Sequence, residues 1–148
     1  MKIQNCMTTD VRTVNPAMTV QDAARMMAET DTGALPVADE DRLVGMITDR
    51  DIVIRAIGEG LGPNTPVSDV MSNEVKYCYD DDEVESVAQN MADIQVRRLP
   101  VVSRDKRLVG IITLSDLAIS ADFDVVGQAL GGISRPGGKH CHTGAHAA

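Results

Sequence analysis

Tryptophan is absent from this 148-residue chain, and Phe123, Tyr77 and Tyr79 are its only aromatic residues. A core without aromatic plates must be filled by Val, Ile, Leu, Met and Ala. No apolar run approaches the ~20 residues that a membrane-spanning helix needs. The opening stretch MKIQNCMTTD carries no apolar segment of the secretory kind. A cytoplasmic setting with no membrane partner is therefore expected. Cysteine is sparse: Cys6, Cys78 and Cys141 are odd in number, far apart and form no CxxC pair. That argues against a disulfide framework or a structural zinc site, and reads the thiols as buried or incidental. Histidine is confined to His140, His142 and His146. Acid–base chemistry in the folded part would therefore fall to carboxylates or a lysine. There is no P-loop, no Ser–His–Asp arrangement and no metal-ligand cluster there. No catalytic residue and no metal site is assigned, and the chain is not read as an enzyme. Positive charge is also short: 14 Lys and Arg face 22 Asp and Glu, a net charge of -8. This argues against nucleic acid as a partner, since such affinity rests on neutralising phosphates. It leaves room for one nucleotide in a locally basic pocket.

What the chain does have is a repeat. Met7 matches Met71, Val20 matches Val84, Ala24 matches Ala88 and Met27 matches Met91, at an offset of 64. Leu35-Pro36-Val37 matches Leu99-Pro100-Val101. After one inserted residue, Gly45, Ile47, Thr48 and Asp51 match Gly110, Ile112, Thr113 and Asp116. Each copy reads as β-α-β-β-α. Val20, Ala23, Ala24 and Met27 fall on one helical face behind a Thr19 cap with Asp22 three residues on. ALPVA and LVGMIT read as a hairpin. A helix is expected from near Asp49 to about Gly58, and GEGLGPNTP reads as the link between copies. The fold class is α/β (α+β). The expected organisation is a first repeat at 1–62 with its N-terminal segment, a second at 63–124, and a disordered Gly/His-rich tail at 125–148. A half of about sixty residues buries little by itself. The two sheets are therefore expected to pack face to face with pseudo-twofold symmetry, leaving two clefts.

The repeated phrases GMITDRDI and GIITLSDL admit two readings. Thr-x-x-Asp at a strand-to-helix junction is close to a capping box, in which threonine and aspartate satisfy backbone N–H groups. The same geometry suits a ribonucleotide. A threonine hydroxyl at a helix start can bond a phosphate, and a carboxylate one turn in can accept vicinal ribose hydroxyls. The acidic run Asp80–Glu83 lies where the second copy's first helix begins, and capping is preferred there to a divalent ion.

Taken with the x-LPV strands, GALPV before GMITDRDI and RRLPV before GIITLSDL, these phrases make the chain resemble a tandem cystathionine-β-synthase-domain pair, or CBS pair. The resemblance covers about residues 2–122 and is strongest to small stand-alone bacterial pairs of the hypoxic-response type. It implies a regulatory module that binds adenosine nucleotides (AMP, ADP, ATP or NADH) and requires no cofactor. In the family each site mixes the halves. One site would use Thr48, Arg50 and Asp51 with Tyr77, Val96, Arg97 and Arg98. The other would use Thr113, Ser115 and Asp116 with Thr13, Thr32, Gly33 and Ala34. The resemblance gives the aspartates the ribose hydroxyls and the threonines ribose or phosphate. Arg50, Arg97 and Arg98 make the first site the more attractive to an anion. A homodimer and an unidentified protein partner are also implied. The alternative is a stress or interaction module that binds no nucleotide and works through its cysteines or its His-rich tail.

Overall fold

Thr19 opens the first helix as its sequence predicts. In the computed structural model, which describes residues 1–136, α1 spans Val20–Thr30. The Thr19 hydroxyl accepts from the Asp22 amide at 3.1 Å, and the Asp22 carboxylate accepts from the Thr19 amide at 3.2 Å. Val20, Ala23 and Met27 are buried. The helix ends on Asp31, a left-handed residue with φ 52°. β1 (Ala34–Asp39) and β2 (Arg42–Thr48) then pair antiparallel, from Ala34 opposite Thr48 to Asp39 opposite Arg42, with a bulge after Val37. The expected first strand is reduced to one parallel bridge, Val14 to Val37.

The helical segment after Thr48 changes its winding twice. α2 is one turn, Asp49–Asp51; a π-helical stretch follows at Ile52–Ala56 and a 3-10 turn at Ile57–Glu59. In the second copy β3 (Cys78–Tyr79) runs parallel to β4 (Arg98–Val102), with Cys78 opposite Val101. β5 (Leu108–Thr113) flanks β4 on its other side. α3 covers Val84–Ile94 and α4 Leu114–Ser120, the latter a regular α-helix. The fold is mixed α/β with two sheets, as expected.

The compact units do not coincide with the copies read in the sequence. The chain forms two compact units: residues 11–75 with 106–108, and residues 1–10 with 76–105 and 109 onward. Each copy's leading arm thus belongs to the other copy's unit. In the first-copy unit the arm 63–75 contributes Val67 and Val70, both fully buried, to a core with Val14, Ala23, Leu35 and Ile47. In the second-copy unit Ile3 is fully buried among Val87, Met91, Leu99 and Ile112. The arms are also stitched in by backbone. Ser72 exchanges two hydrogen bonds with Met46, and Thr8 exchanges two with Ile111. A split at 62/63 follows the Gly/Pro punctuation, but the apolar residues beyond it complete the first unit's core.

The tail expected from residue 125 is corrected over its described part. α5 spans Phe123–Ser134 and caps on Asp122. Val125, Val126 and Ala129 pack into the second unit's core. At Gly132 a Cβ would lie 2.5 Å from the Ala92 Cβ, so the glycine that suggested disorder is what lets α5 approach α3. The tail residues His140, Cys141, His142 and His146 lie outside the described residues. Capping does not account for the acidic run either. The N-cap of α3, Glu83, makes no side-chain cap bond. Instead the carbonyls of Asp80 and Asp82 accept from the amides of Gln4 and Ile3, and Asp81 pairs with Arg104 at 2.7 Å. Among the described residues no helix is long and apolar enough to cross a membrane.

Candidate functional site

The repeated Thr-x-x-Asp forms a capping box in each unit. The Asp51 amide donates to Thr48 Oγ1 at 3.0 Å, and the Thr48 amide donates to Asp51 Oδ2 at 3.0 Å. Thr113 and Asp116 repeat both bonds at 3.0 Å. The box engages one carboxylate oxygen and leaves the other. It also uses the threonine oxygen as an acceptor, so its hydroxyl proton stays available. Structural capping and ligand contact are thus compatible in one pair of residues.

The glycine at the head of each motif is explained by the arms. A Cβ at Gly45 would lie 2.6 Å from Met71 Sδ and 2.9 Å from the Ser72 carbonyl oxygen. At Gly110 the same atoms of Met7 and Thr8 would be met at 2.6 and 2.9 Å. The two methionines occupy the same place in the two copies, so each motif is backed by the arm.

Within the first-copy unit, Thr32, Gly33 and Ala34 lie beside the motif of their own copy. Ala34 pairs with Thr48, and the Asp49 amide donates to the Gly33 carbonyl at 2.9 Å. A Cβ at Gly33 would sit 2.9 Å from Asp49 Oδ2, so a side chain there would require the exposed Asp49 carboxylate to swing aside. Thr13 precedes Val14, whose amide donates to the Pro36 carbonyl on the other edge of β1. Arg50 is exposed on the first turn of α2. Within the second-copy unit the matching contact is made by Leu114, whose amide donates to the Arg97 carbonyl at 2.8 Å. That brings Val96, Arg97 and Arg98 next to Thr113, Ser115 and Asp116. Arg50, Arg97 and Arg98 form no ion pair among the described residues. In a chain this acidic, three unpaired guanidinium groups near the two motifs are available to an anion. Tyr77 stands edge-on to Tyr79, with ring centroids 5.7 Å apart. Tyr79 in turn lies under the Arg104 guanidinium at 4.0 Å. Arg104 holds the Asp81 carboxyl below its ordinary range through their hydrogen bonds.

Cys6 and Cys78, the two thiols among the described residues, are not poised for chemistry. Burial raises the Cys78 thiol to about 12, helped by Asp82, Cys6 and Asp80. Cys6 is raised too, by burial and by the Asp116 carboxylate. A thiolate is the reactive form, so both side chains behave as small apolar groups. Among the described residues no group of three or more His, Cys, Asp or Glu could hold a metal ion. The surface grooves along α3 and α5 are lined by residues such as Gln89, Gln128 and Gly132, and none of the predicted site residues lines them.

Three residues near the motifs are given no role by the sequence reading. Arg55 reaches back to Asp51, with Nη1 4.0 Å from Oδ1. An acid and a base four apart on a helix are a recognisable signal. Met71, and Met7 with it, carried no signal beyond the repeat itself, because their contact with the glycine is long-range.

Comparison with known proteins bears on the family. The CBS-domain profile matches residues 3–58 and 67–120. The chain is 43% identical over 133 residues to the CBS domain-containing protein YhcV of Bacillus subtilis, covering 89% of this chain and 94% of that one. It is 38% identical over 135 residues to hypoxic response protein 1 of Mycobacterium tuberculosis, covering 90% and 94%. A crystal structure of Hypoxic Response Protein I with two coordinated zinc ions superposes with a TM-score of 0.75 at 39% identity, covering 82% of this chain and 100% of that one. The CBS domain pair of protein MJ0100, in complex with 5-methylthioadenosine and S-adenosyl-L-methionine, gives 0.71 at 25% identity, covering 80% and 94%.

Proposed function

The chain belongs to the CBS-domain family as a tandem pair of copies, and on that premise we propose that it is a regulatory module whose conformation responds to an adenosine-containing small molecule. The candidates are AMP, ADP, ATP and NADH. Asp51 and Asp116 receive the ribose hydroxyls, and Thr48 and Thr113 bond ribose or phosphate. Arg50, Arg97 and Arg98 attract the phosphate. Val96 and Tyr77 supply apolar surface to the base, and Ser115, Thr13, Thr32, Gly33 and Ala34 line the remaining contacts. The observation that carries the reading is the repeated capping box, which fixes each aspartate while leaving one carboxylate oxygen outside the cap. The neighbour holding methylthioadenosine and S-adenosylmethionine supports the same ligand class. Of the competing idea, a stress or interaction module working through its cysteines or its His-rich tail, the part that rests on Cys6 and Cys78 is weakened by burial that keeps both thiols protonated.

Regulation requires that the ligand bind two states differently. A homodimer in a cytosolic setting is part of this reading. Exposed apolar residues favour it: Val53, Ile54 and Ile57 in the first-copy unit, and Ile119 and Phe123 in the second. Calorimetric titration with AMP, ADP, ATP, NADH and S-adenosylmethionine tests the ligand, with sedimentation in the same buffer reading the dimer. Saturable binding that Asp51→Ala or Asp116→Ala abolishes is expected. Folded protein giving no heat with any of them overturns the reading. A double-mutant cycle with Arg97→Ala then identifies which aspartate the arginine pair serves.

A further inference from the structure

The two motifs are alike in their caps and unlike in what faces the spare carboxylate oxygen. Asp51 Oδ1 has the Arg55 guanidinium at 4.0 Å. Asp116 stands on a regular α-helix, and the residue four on is Ser120, which carries no charge. The segment carrying Arg55 is π-wound from Ile52 to Ala56, a departure from α-geometry found often at functional sites. The same Arg55 Nη1 also donates to the Met71 carbonyl at 3.4 Å. Met71 lies in the arm 63–75, with its sulfur over Gly45 and its neighbour Ser72 bonded to Met46 in β2. One guanidinium therefore touches the motif carboxylate and the arm that backs the motif. The arm is also the stretch of chain that leads into the second copy.

We propose that Arg55 is a positioning residue that couples occupancy at Asp51 to the arm 63–75. This rests on the ribose-holding role given to Asp51 above. Arg55 shares its charge between Asp51 Oδ1 and the Met71 carbonyl. A ligand whose ribose hydroxyls take Oδ1 competes for that contact, and a ligand phosphate attracts the freed guanidinium. Either step withdraws Arg55 from Met71 and loosens the arm against β2. The reverse also holds: an arm held tightly opposes binding, because coupling between two events is reciprocal. Among the described residues the second copy has no such link, so there only the first motif reports to the chain that joins the copies.

The test uses the full chain as wild type, Arg55→Ala, Arg55→Lys, Asp51→Asn and the Asp51→Asn, Arg55→Ala double variant, with adenosine and AMP as probes. The first readout is amide hydrogen exchange at Ser72 and Met46, whose mutual bonds report the arm's seat. Without any probe, Arg55→Ala and Asp51→Asn should each speed exchange there by roughly two- to fivefold, the range of a half-exposed charged contact. The double variant should add nothing further, and Arg55→Lys should restore most of the protection. With AMP, exchange at Ser72 should rise in the wild type and stay unchanged in Arg55→Ala. Adenosine, which has no phosphate, should bind Arg55→Ala more tightly than wild type, while AMP should not. Additive effects of the two substitutions, or an AMP response that survives in Arg55→Ala, would overturn the coupling. If no adenosine compound binds the wild type, the ligand reading fails, and the probe-free comparison still decides whether Asp51, Arg55 and the arm act as one unit.

Discussion

At Gly45 and Gly110 a side chain is missing because a methionine sulfur occupies its place. Both glycines are legible in the sequence as part of a repeated phrase, but their reason is not, since Met71 and Met7 come from distant chain. Gly45→Ala and Gly110→Ala should each destabilise the protein by about 1–3 kcal/mol, the usual cost of overpacking. Denaturant unfolding checks this, and Met71→Ala should recover part of the Gly45→Ala loss. The recovery should be partial, because a backbone oxygen, that of Ser72, stands 2.9 Å from the new Cβ as well. Cys78 makes a second residue-scale prediction. Its partner in the repeat is Val14, buried at the same place in the other copy. The folded thiol titrates near 12 instead of 9.0. The folded state therefore holds a proton that the unfolded state has lost between those values. Stability contributed by the neutral thiol is complete below about pH 9 and is lost as pH rises toward 12. Cys78→Val should fold with a cost below about 1.5 kcal/mol. Subtracting its alkaline unfolding curve from that of the wild type should isolate this loss. Parallel curves from pH 9 to 12 would count against a buried, protonated Cys78.

Among the elements, the local signals were readable and the tertiary ones were not. Thr19 with Asp22 announces the start of α1, and the structure has the reciprocal bonds. Thr19→Ala should cost about 1 kcal/mol, seen as a lower denaturation midpoint at unchanged slope. The matching helix α3 begins at Glu83 without a side-chain cap. Four adjacent acids looked like a cap because negative charge suits a helix start. The backbone carbonyls of Asp80 and Asp82 receive the arm's amides, while the Asp81 and Asp82 carboxylates face Arg104. The Gly-rich, His-containing stretch from Gly131 makes the C-terminal part read as a tail, and glycine lowers helix propensity. The apolar face of α5, Val125, Val126 and Ala129, closes over α3 and outweighs that cost. The motif itself was legible at both levels: as a capping box in any sequence, and as a candidate ligand element only because it occurs twice behind an x-LPV strand. The π-winding that sets Arg55 apart left no pattern in the sequence, since Ile52–Ala56 reads as an ordinary helical run.

For the molecule as a whole, the exchange of arms makes the units differ from the repeats that encode them. A repeat is visible as matched residues, whereas a unit is defined by what is buried with what. Ile3 is fully buried in the second-copy unit, although it lies in the first copy's stretch of sequence. Removing residues 1–10 should therefore weaken the second-copy unit and leave the first-copy unit in place. Losing the Ile3 side chain alone should cost about 2–5 kcal/mol, and Ile3→Ala in the full chain isolates that share. Hydrogen exchange resolved by residue checks both. Faster exchange should appear in β4, β5 and α3, while α1, β1 and β2 stay protected. A fragment cut at 11–75 should hold more structure than one cut at 1–62, because only the former keeps Val67 and Val70, which are 0% exposed. Equal helicity in the two fragments by circular dichroism would mean that the arms are appended rather than integral. The repeat boundaries would then be the true folding boundaries.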